Sequence, residues 1–121
     1  PEIGGAGRGP SPLELLLVGL GGCLGMTVLS ILRRMRQDVT GYQLQVRGDQ
    51  ATTHPKVFTT ITVEHVLRGR GLNPDLVRRA ISRAMEQYCP ASVMLRQAAP
   101  VEERYRIIDE VTGAEVTGVL G

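Results

Sequence analysis

The longest apolar run of the chain, residues 13–32, contains a single charged residue, Glu14. Ser11 and Pro12 precede the run as a helix start does, because serine caps the first amides and proline fits the first turn. Glu14, three residues after Ser11, completes a capping-box pattern. Cations that suit a helix C-terminus close the run: Arg33, Arg34 and Arg36. The pattern predicts a central helix within residues 11–37.

This helix is apolar nearly all round, and a helix of that kind must be covered on every side. We therefore expect a partner subunit to pack against it. About 20 apolar residues also match the length of a membrane span. A soluble core helix is favoured here, because the run is capped, is the only one of its kind and carries four glycines, which we expect to allow close approach of another backbone: Gly19, Gly21, Gly22 and Gly25.

The remaining pattern predicts a single α+β domain over residues 1–121. Residues 1–10 form a glycine-rich approach loop, and because the chain begins at Pro1 we expect an N-terminal piece to be missing. Alternating apolar positions indicate strands, and helical spacing indicates a second helix that ends at Cys89 and a short third one. The predicted elements are strands at 42–47, 56–67, 101–108 and 114–119 and helices at 73–88 and 90–98. This order indicates helices packed on one face of an antiparallel sheet.

The two cysteines are the clearest candidates in the sequence for chemically reactive residues. Cys89 directly precedes Pro90 and so lies at a predicted helix N-terminus, where amide groups lower a thiol pKa. Cys23 lies inside the central helix, away from such donors. From the residues alone Cys89 is therefore the better candidate thiolate. Two readings stay open, a redox pair and two small buried hydrophobic residues.

Composition narrows the remaining classes of function. The net charge is +2 and aromatic residues make up 3% of the chain, which gives nucleic-acid binding little support. Two cysteines without a visible secretory signal indicate a reducing compartment, so we expect a cytoplasmic protein. His54 and His65 have no metal-ligand spacing, so we expect both to be structural or exposed. We expect no metal and no bound cofactor, and no nucleic-acid or membrane partner.

The stretch S-P-L-E-L-L-L-V-G-L-G-G-C, from Ser11 to Cys23, and the later Y-C-P-A-S-V-M-L, from Tyr88 to Leu95, resemble the OsmC/Ohr family of thiol-dependent peroxidases. The resemblance covers about residues 9–108, and the wording S-P-x-E-L, G-G-C and S-I-L, followed by R-Q-D-V, is closest to the YhfA-like branch. It implies an intertwined α+β homodimer with two central helices packed back to back.

The resemblance also implies a reaction. Cys23 would attack an organic hydroperoxide and become a sulfenic acid, and Cys89 would form a disulfide with it. An external dithiol, such as a lipoyl group or another thiol donor, would then reduce the disulfide. This order conflicts with the residue-based preference for Cys89 as the thiolate, and we follow the resemblance.

Two features depart from the family pattern. The family's glutamate directly follows the proline, where this chain has Leu13, so Glu14 is either a displaced active-site residue or only the capping residue. Arg8 is the one candidate near the helix start for the family's activating arginine. These departures keep an alternative open: a non-catalytic dimeric module that binds a small apolar ligand or senses oxidants through its thiols. For the peroxidase, an expected apolar lining of Leu16, Leu20, Leu24, Met26 and Met85 would favour fatty or aromatic hydroperoxides over hydrogen peroxide.

Overall fold

The computed structural model describes residues 11–120 and contains three α-helices packed on one four-stranded sheet. The helices are α1 (Pro12–Arg34), α2 (Pro74–Arg83) and α3 (Pro90–Arg96), and a π-helical turn, Ala84–Tyr88, joins the last two. The strands are β1 (Asp38–Gln50), β2 (Phe58–Arg70), β3 (Val101–Asp109) and β4 (Glu115–Leu120). The α+β class and the order of elements are as predicted. Strand β1 is longer than predicted and includes the expected turn at 38–41.

The sheet is mixed, so the prediction of an antiparallel sheet is wrong at its centre. The strands lie in the order β1-β2-β3-β4, with β1–β2 and β3–β4 antiparallel but β2–β3 parallel. Parallel neighbours require a crossover connection of a dozen or more residues. The helical segment Pro74–Arg96 supplies that crossover and lies across the sheet. It thereby brings Cys89 next to α1.

Helix α1 begins as its sequence predicts and buries one narrow stripe. Ser11 Oγ accepts a hydrogen bond from the Glu14 amide at 3.2 Å. The stripe repeats every four residues and joins the core between helices and sheet: Leu20, Leu24, Val28 and Leu32. Within the part of the chain that the structure describes, α1 is the one helix long and apolar enough to cross a membrane, and 22% of its apolar window is buried in this single chain.

Two of the four glycines of α1 explain how closely the helix approaches β1. A methyl group added at Gly21 would lie 3.2 Å from Val46 Cγ2 and 3.4 Å from Leu44 Cδ2, and Gly25 also faces β1. Gly19 and Gly22 meet nothing within 4 Å. The expected close approach of another backbone is therefore not found in this chain: Gly21 and Gly25 instead face side chains of β1, and only Gly21 faces them closely.

A buried polar network crosses strands β1, β2 and β3 on the face of the sheet that the helices cover. His65 and Glu103 are fully buried, and His65 Nε2 lies 2.7 Å from Glu103 Oε1. The other ring nitrogen, Nδ1, lies 2.6 Å from the Tyr42 hydroxyl. Burial, followed by the nearby Glu103 carboxylate, raises the pKa of Tyr42 above its usual value of 10.0. The prediction that His65 is structural agrees with this position, and His54 is exposed in the loop after β1.

Candidate active site

Cys89 lies at a break in the helical crossover that its neighbours produce. Residue 89 is extended, with φ −100° and ψ 104°, because Pro90 disfavours the helical conformation for the residue before it. Pro90 then opens α3, as predicted, and Cys89 occupies the N-cap position. The preceding turn, Ala84–Tyr88, widens to a π-helix, which the sequence analysis missed. Such turns are frequent at functional sites.

The two cysteines meet although 66 positions separate them in the sequence. The Sγ atoms of Cys23 and Cys89 lie 2.9 Å apart, with the Cys89 thiol donating to the Cys23 sulfur. Both are free thiols; Cys89 is fully buried, whereas Cys23 is partly exposed. Sulfurs in a disulfide lie about 2.05 Å apart, so the pair needs to move by about 1 Å to form one. The structure therefore brings together the two residues that the sequence singled out.

The environment of Cys89 corrects the prediction that it is the better thiolate. Burial and, next, the hydrogen bond to Cys23 raise the pKa of the Cys89 thiol from 9.0 to about 11. The backbone amides of Ser92 and Ala91 act in the predicted direction and lower the pKa, but their effect is smaller. Desolvation outweighs the helix N-terminus because the sulfur has no contact with water. Cys89 is therefore a protonated thiol at neutral pH.

Two donors that the sequence analysis missed hold the segment around Cys89. Ser92 Oγ donates to the Met85 carbonyl at 3.0 Å, and Arg96 Nη1 donates to the same oxygen at 3.2 Å. Ser92 is fully buried. The proline after Cys89, which removes an amide donor from the chain, was the available signal for such side-chain donors.

A groove of about 520 Å³ lies along the second half of α1, close to the residue that precedes Cys89. It combines apolar and hydroxyl side chains with two guanidinium groups, and is lined by Met26, Thr27, Ser30, Ile31, Arg34, Met35, Arg83 and Tyr88. Thr27 also donates to the Cys23 carbonyl at 2.8 Å, on the same stretch of helix. The groove therefore offers room for a small organic molecule next to Tyr88, the neighbour of Cys89 in the chain, although neither cysteine lines it.

The other predicted site residues are not gathered at the cysteines. Glu14 lines a separate groove of about 450 Å³ between the start of α1 and β1. Nine residues separate it from Cys23, which corresponds to about 13 Å along the helix and the opposite face. Within one chain Glu14 therefore lies away from the thiols, and its backbone amide donates to Ser11 Oγ at the start of α1. Arg8 lies outside the described residues.

The expected apolar lining does not form one surface. Leu20, Leu24 and Met85 are buried in the core, whereas Leu16 and Met26 are exposed. Among residues 11–120, no group of three or more His, Cys, Asp or Glu side chains could hold a metal ion.

Comparison with known proteins places this arrangement in a family. The family model described as OsmC-like protein matches residues 5–104. The chain belongs to the OsmC-like family. The main chemical feature of this chain is a pair of free cysteines, one in a long glycine-bearing helix and one at a later Cys-Pro helix start.

Within the family, the chain falls in the YhfA-like branch. It is 33% identical over 101 residues to Protein YhfA of Escherichia coli (strain K12), covering 84% of this chain and 75% of that protein.

Solved structures support the same fold. A hypothetical protein from Aquifex aeolicus VF5 is 27% identical with a TM-score of 0.80, over 85% of this chain and 77% of the other. An organic hydroperoxide resistance protein OsmC from Legionella pneumophila is 21% identical with a TM-score of 0.63, over 88% of this chain and 74% of the other. At that identity the second likeness concerns the fold alone.

Proposed function

We propose that the protein is a homodimeric thiol-dependent peroxidase that reduces organic hydroperoxides to alcohols through Cys23 and Cys89. The observation that carries the proposal is the 2.9 Å separation of the two sulfurs, one from α1 and one from the start of α3. Membership of the OsmC-like family and the hydroperoxide resistance named for the Legionella pneumophila neighbour point to peroxide chemistry.

Three balanced steps make up the proposed cycle. The Cys23 thiolate attacks the outer oxygen of the hydroperoxide, the O–O bond breaks, and the leaving alkoxide takes a proton to become the alcohol. Cys89 then attacks the Cys23 sulfenic acid, which releases water and forms the disulfide. An external dithiol reduces the disulfide by exchange and is itself oxidised.

The assignment of attack to Cys23 rests on exposure and protonation. Only the thiolate is nucleophilic, and burial together with the hydrogen bond to Cys23 raises the pKa of Cys89 to about 11. Cys89 is also fully buried, so an incoming peroxide meets the partly exposed Cys23 first. Cys89 becomes useful in the second step, where it needs to reach only the neighbouring sulfur.

The homodimer part of the proposal rests on the uncovered half of α1. Several of its large apolar side chains are exposed in the single chain, among them Val18 at 63% and Met26 at 76%. Gly19 and Gly22 lie on the same helix, and a methyl group added at either position would contact no other part of the chain within 4 Å. A second copy of α1 packed against this surface would remove these apolar side chains from water.

The cycle needs no bound metal or organic cofactor, because sulfur supplies both electrons. It does need an external dithiol, for example a lipoyl group, and a compartment in which thiols stay reduced. We therefore also place the protein in the cytoplasm.

The test is consumption of cumene hydroperoxide and of hydrogen peroxide with dihydrolipoamide as reductant. Wild type is compared with Cys23→Ser and Cys89→Ser. We expect faster turnover of cumene hydroperoxide, no turnover by Cys23→Ser, and a sulfenic acid at Cys23 that dimedone traps in Cys89→Ser. A wild-type protein whose folded, reduced form consumes neither peroxide contradicts the proposal.

The groove along the second half of α1 favours one alternative, a non-catalytic dimeric module that binds a small apolar ligand or senses oxidants without turnover. Its side chains Met26, Ile31 and Met35 suit an apolar molecule. Absence of turnover together with an apolar molecule that copurifies with the protein would support this function. Rapid peroxide turnover would remove it.

A further inference from the structure

The main-chain carbonyl of Met85 loses both of its regular helical donors. In an α-helix it would accept from the amide of Cys89, four residues on. The π turn redirects that amide to the Ala84 carbonyl, at 2.8 Å. The next residue that a π-helix would use is Pro90, which has no N–H. A buried carbonyl without a donor is costly, so another group must satisfy it.

Two side chains of α3 take over this role. Ser92 Oγ and Arg96 Nη1 donate to the Met85 carbonyl at 3.0 Å and 3.2 Å. The two residues are four positions apart and therefore lie on one face of α3. They connect α3 to the π turn, the two elements that flank Cys89. The positive charge of Arg96 strengthens its hydrogen bond.

The position of the Cys89 sulfur depends on this connection. Cys89 is the single residue between the π turn and α3, and its sulfur faces the amides of Ala91 and Ser92 as well as Cys23. If α3 moves away from the π turn, residue 89 moves with it, while Cys23 stays in the continuous helix α1. The distance between the sulfurs would then increase.

We propose that Ser92 and Arg96 are positioning residues for Cys89, which act through the Met85 carbonyl and hold the two sulfurs in contact. They set the effective concentration of one thiol at the other. The role of this contact in turnover rests on the proposed peroxidase function, whereas the contact itself does not.

The test is the thiol–disulfide equilibrium of the full chain in glutathione buffers, in which one oxidised glutathione and the dithiol protein exchange to two reduced glutathiones and the Cys23–Cys89 disulfide. Arg96→Met keeps the apolar stem of the side chain but removes the donor, and Ser92→Ala removes the other donor. Loss of a charged donor predicts an effective concentration lower by about tenfold in Arg96→Met. Arg96→Lys, which still carries a cationic donor, should recover most of the loss.

Arg79→Met is the matched control, since Arg79 is exposed on α2 and has no hydrogen bond or ion pair among the described side chains. Its equilibrium should equal that of wild type. If Arg96→Met and Ser92→Ala are folded by circular dichroism and both keep the wild-type equilibrium within twofold, the positioning proposal is wrong.

A single-turnover experiment distinguishes failure of the positioning proposal from failure of the proposed peroxidase function. With one equivalent of cumene hydroperoxide, Arg96→Met should form the sulfenic acid at the wild-type rate and the disulfide more slowly. A wild-type protein that does not consume peroxide contradicts the peroxidase proposal, while the glutathione equilibrium still decides the role of Arg96 and Ser92.

Discussion

At the scale of single residues, two identical thiols in contact have different environments. Cys89 is fully buried and donates a hydrogen bond to the Cys23 sulfur, whereas Cys23 is partly exposed on α1. The helix-start amides of Ala91 and Ser92 oppose the effect of burial on Cys89 but do not overcome it. This difference divides the roles in the proposed cycle between an attacking and a resolving cysteine.

The upward shift of the Cys89 pKa, to about 11, can be measured. Alkylation by iodoacetamide needs the thiolate, so its rate at Cys89 should keep rising tenfold per pH unit up to pH 10 instead of levelling near the ordinary value of 9.0. Because the folded state binds this proton more tightly, its contribution to stability is present below pH 9 and is lost towards pH 11.

Peptide mass spectrometry measures this alkylation residue by residue. Cys23→Ala removes the hydrogen bond but leaves Cys89 buried, so the pKa should fall and still exceed 9.0. Urea-unfolded protein serves as the control with ordinary thiols. A rate at Cys89 that levels off below pH 9 in the folded protein would show that burial does not dominate.

At the scale of elements, the contact between α1 and β1 depends on the absence of a side chain. Gly21 faces Val46 and Leu44, and a methyl group there would already be closer to Val46 than ordinary packing allows. The glycine weakens the helix by roughly 1 kcal/mol, and the close packing on the sheet offsets this cost.

Gly21→Leu should lower the free energy of unfolding by about 1–3 kcal/mol, since the new side chain forces α1 away from β1. Val46→Ala makes space, so the double variant should be destabilised by less than the sum of the two single variants. Urea denaturation of all four proteins gives the coupling energy. Additive effects would mean that Gly21 and Val46 do not share the space.

At the scale of the whole molecule, the single chain leaves its longest apolar helix half covered. The buried stripe of α1 packs into the core. The other half of the helix, which includes Val18 and Met26, faces outward. Large apolar side chains exposed along one helix are typical of an interface. The proposed homodimer covers it with the same helix of a second copy.

Sedimentation velocity tests the dimer. Val18→Glu and Met26→Glu place a charge in the proposed interface and should convert the dimer to a monomer at micromolar concentration. Val111→Glu is the control, because Val111 is 75% exposed but lies in the turn between β3 and β4. If the α1 variants sediment as wild type does, α1 is not the interface.

The sequence by itself determined those features that depend on neighbours in the chain. Ser11, Pro12 and the apolar run predicted α1, and Cys89 before Pro90 predicted the break between the helices, because capping and proline sterics act over a few residues. The motifs also singled out the two cysteines as the candidate chemical centre.

The tertiary structure alone decided what depends on distant groups. The parallel pairing of β2 with β3, the contact between Cys23 and Cys89, and the raised pKa of Cys89 all follow from the path of the crossover over the sheet. The π turn and its donors Ser92 and Arg96 likewise could not be predicted from the sequence. A change from α-helical to π-helical hydrogen bonding does not alter the periodic pattern of apolar residues. Local propensity cannot report burial, and burial is the main cause of the raised pKa of the Cys89 thiol.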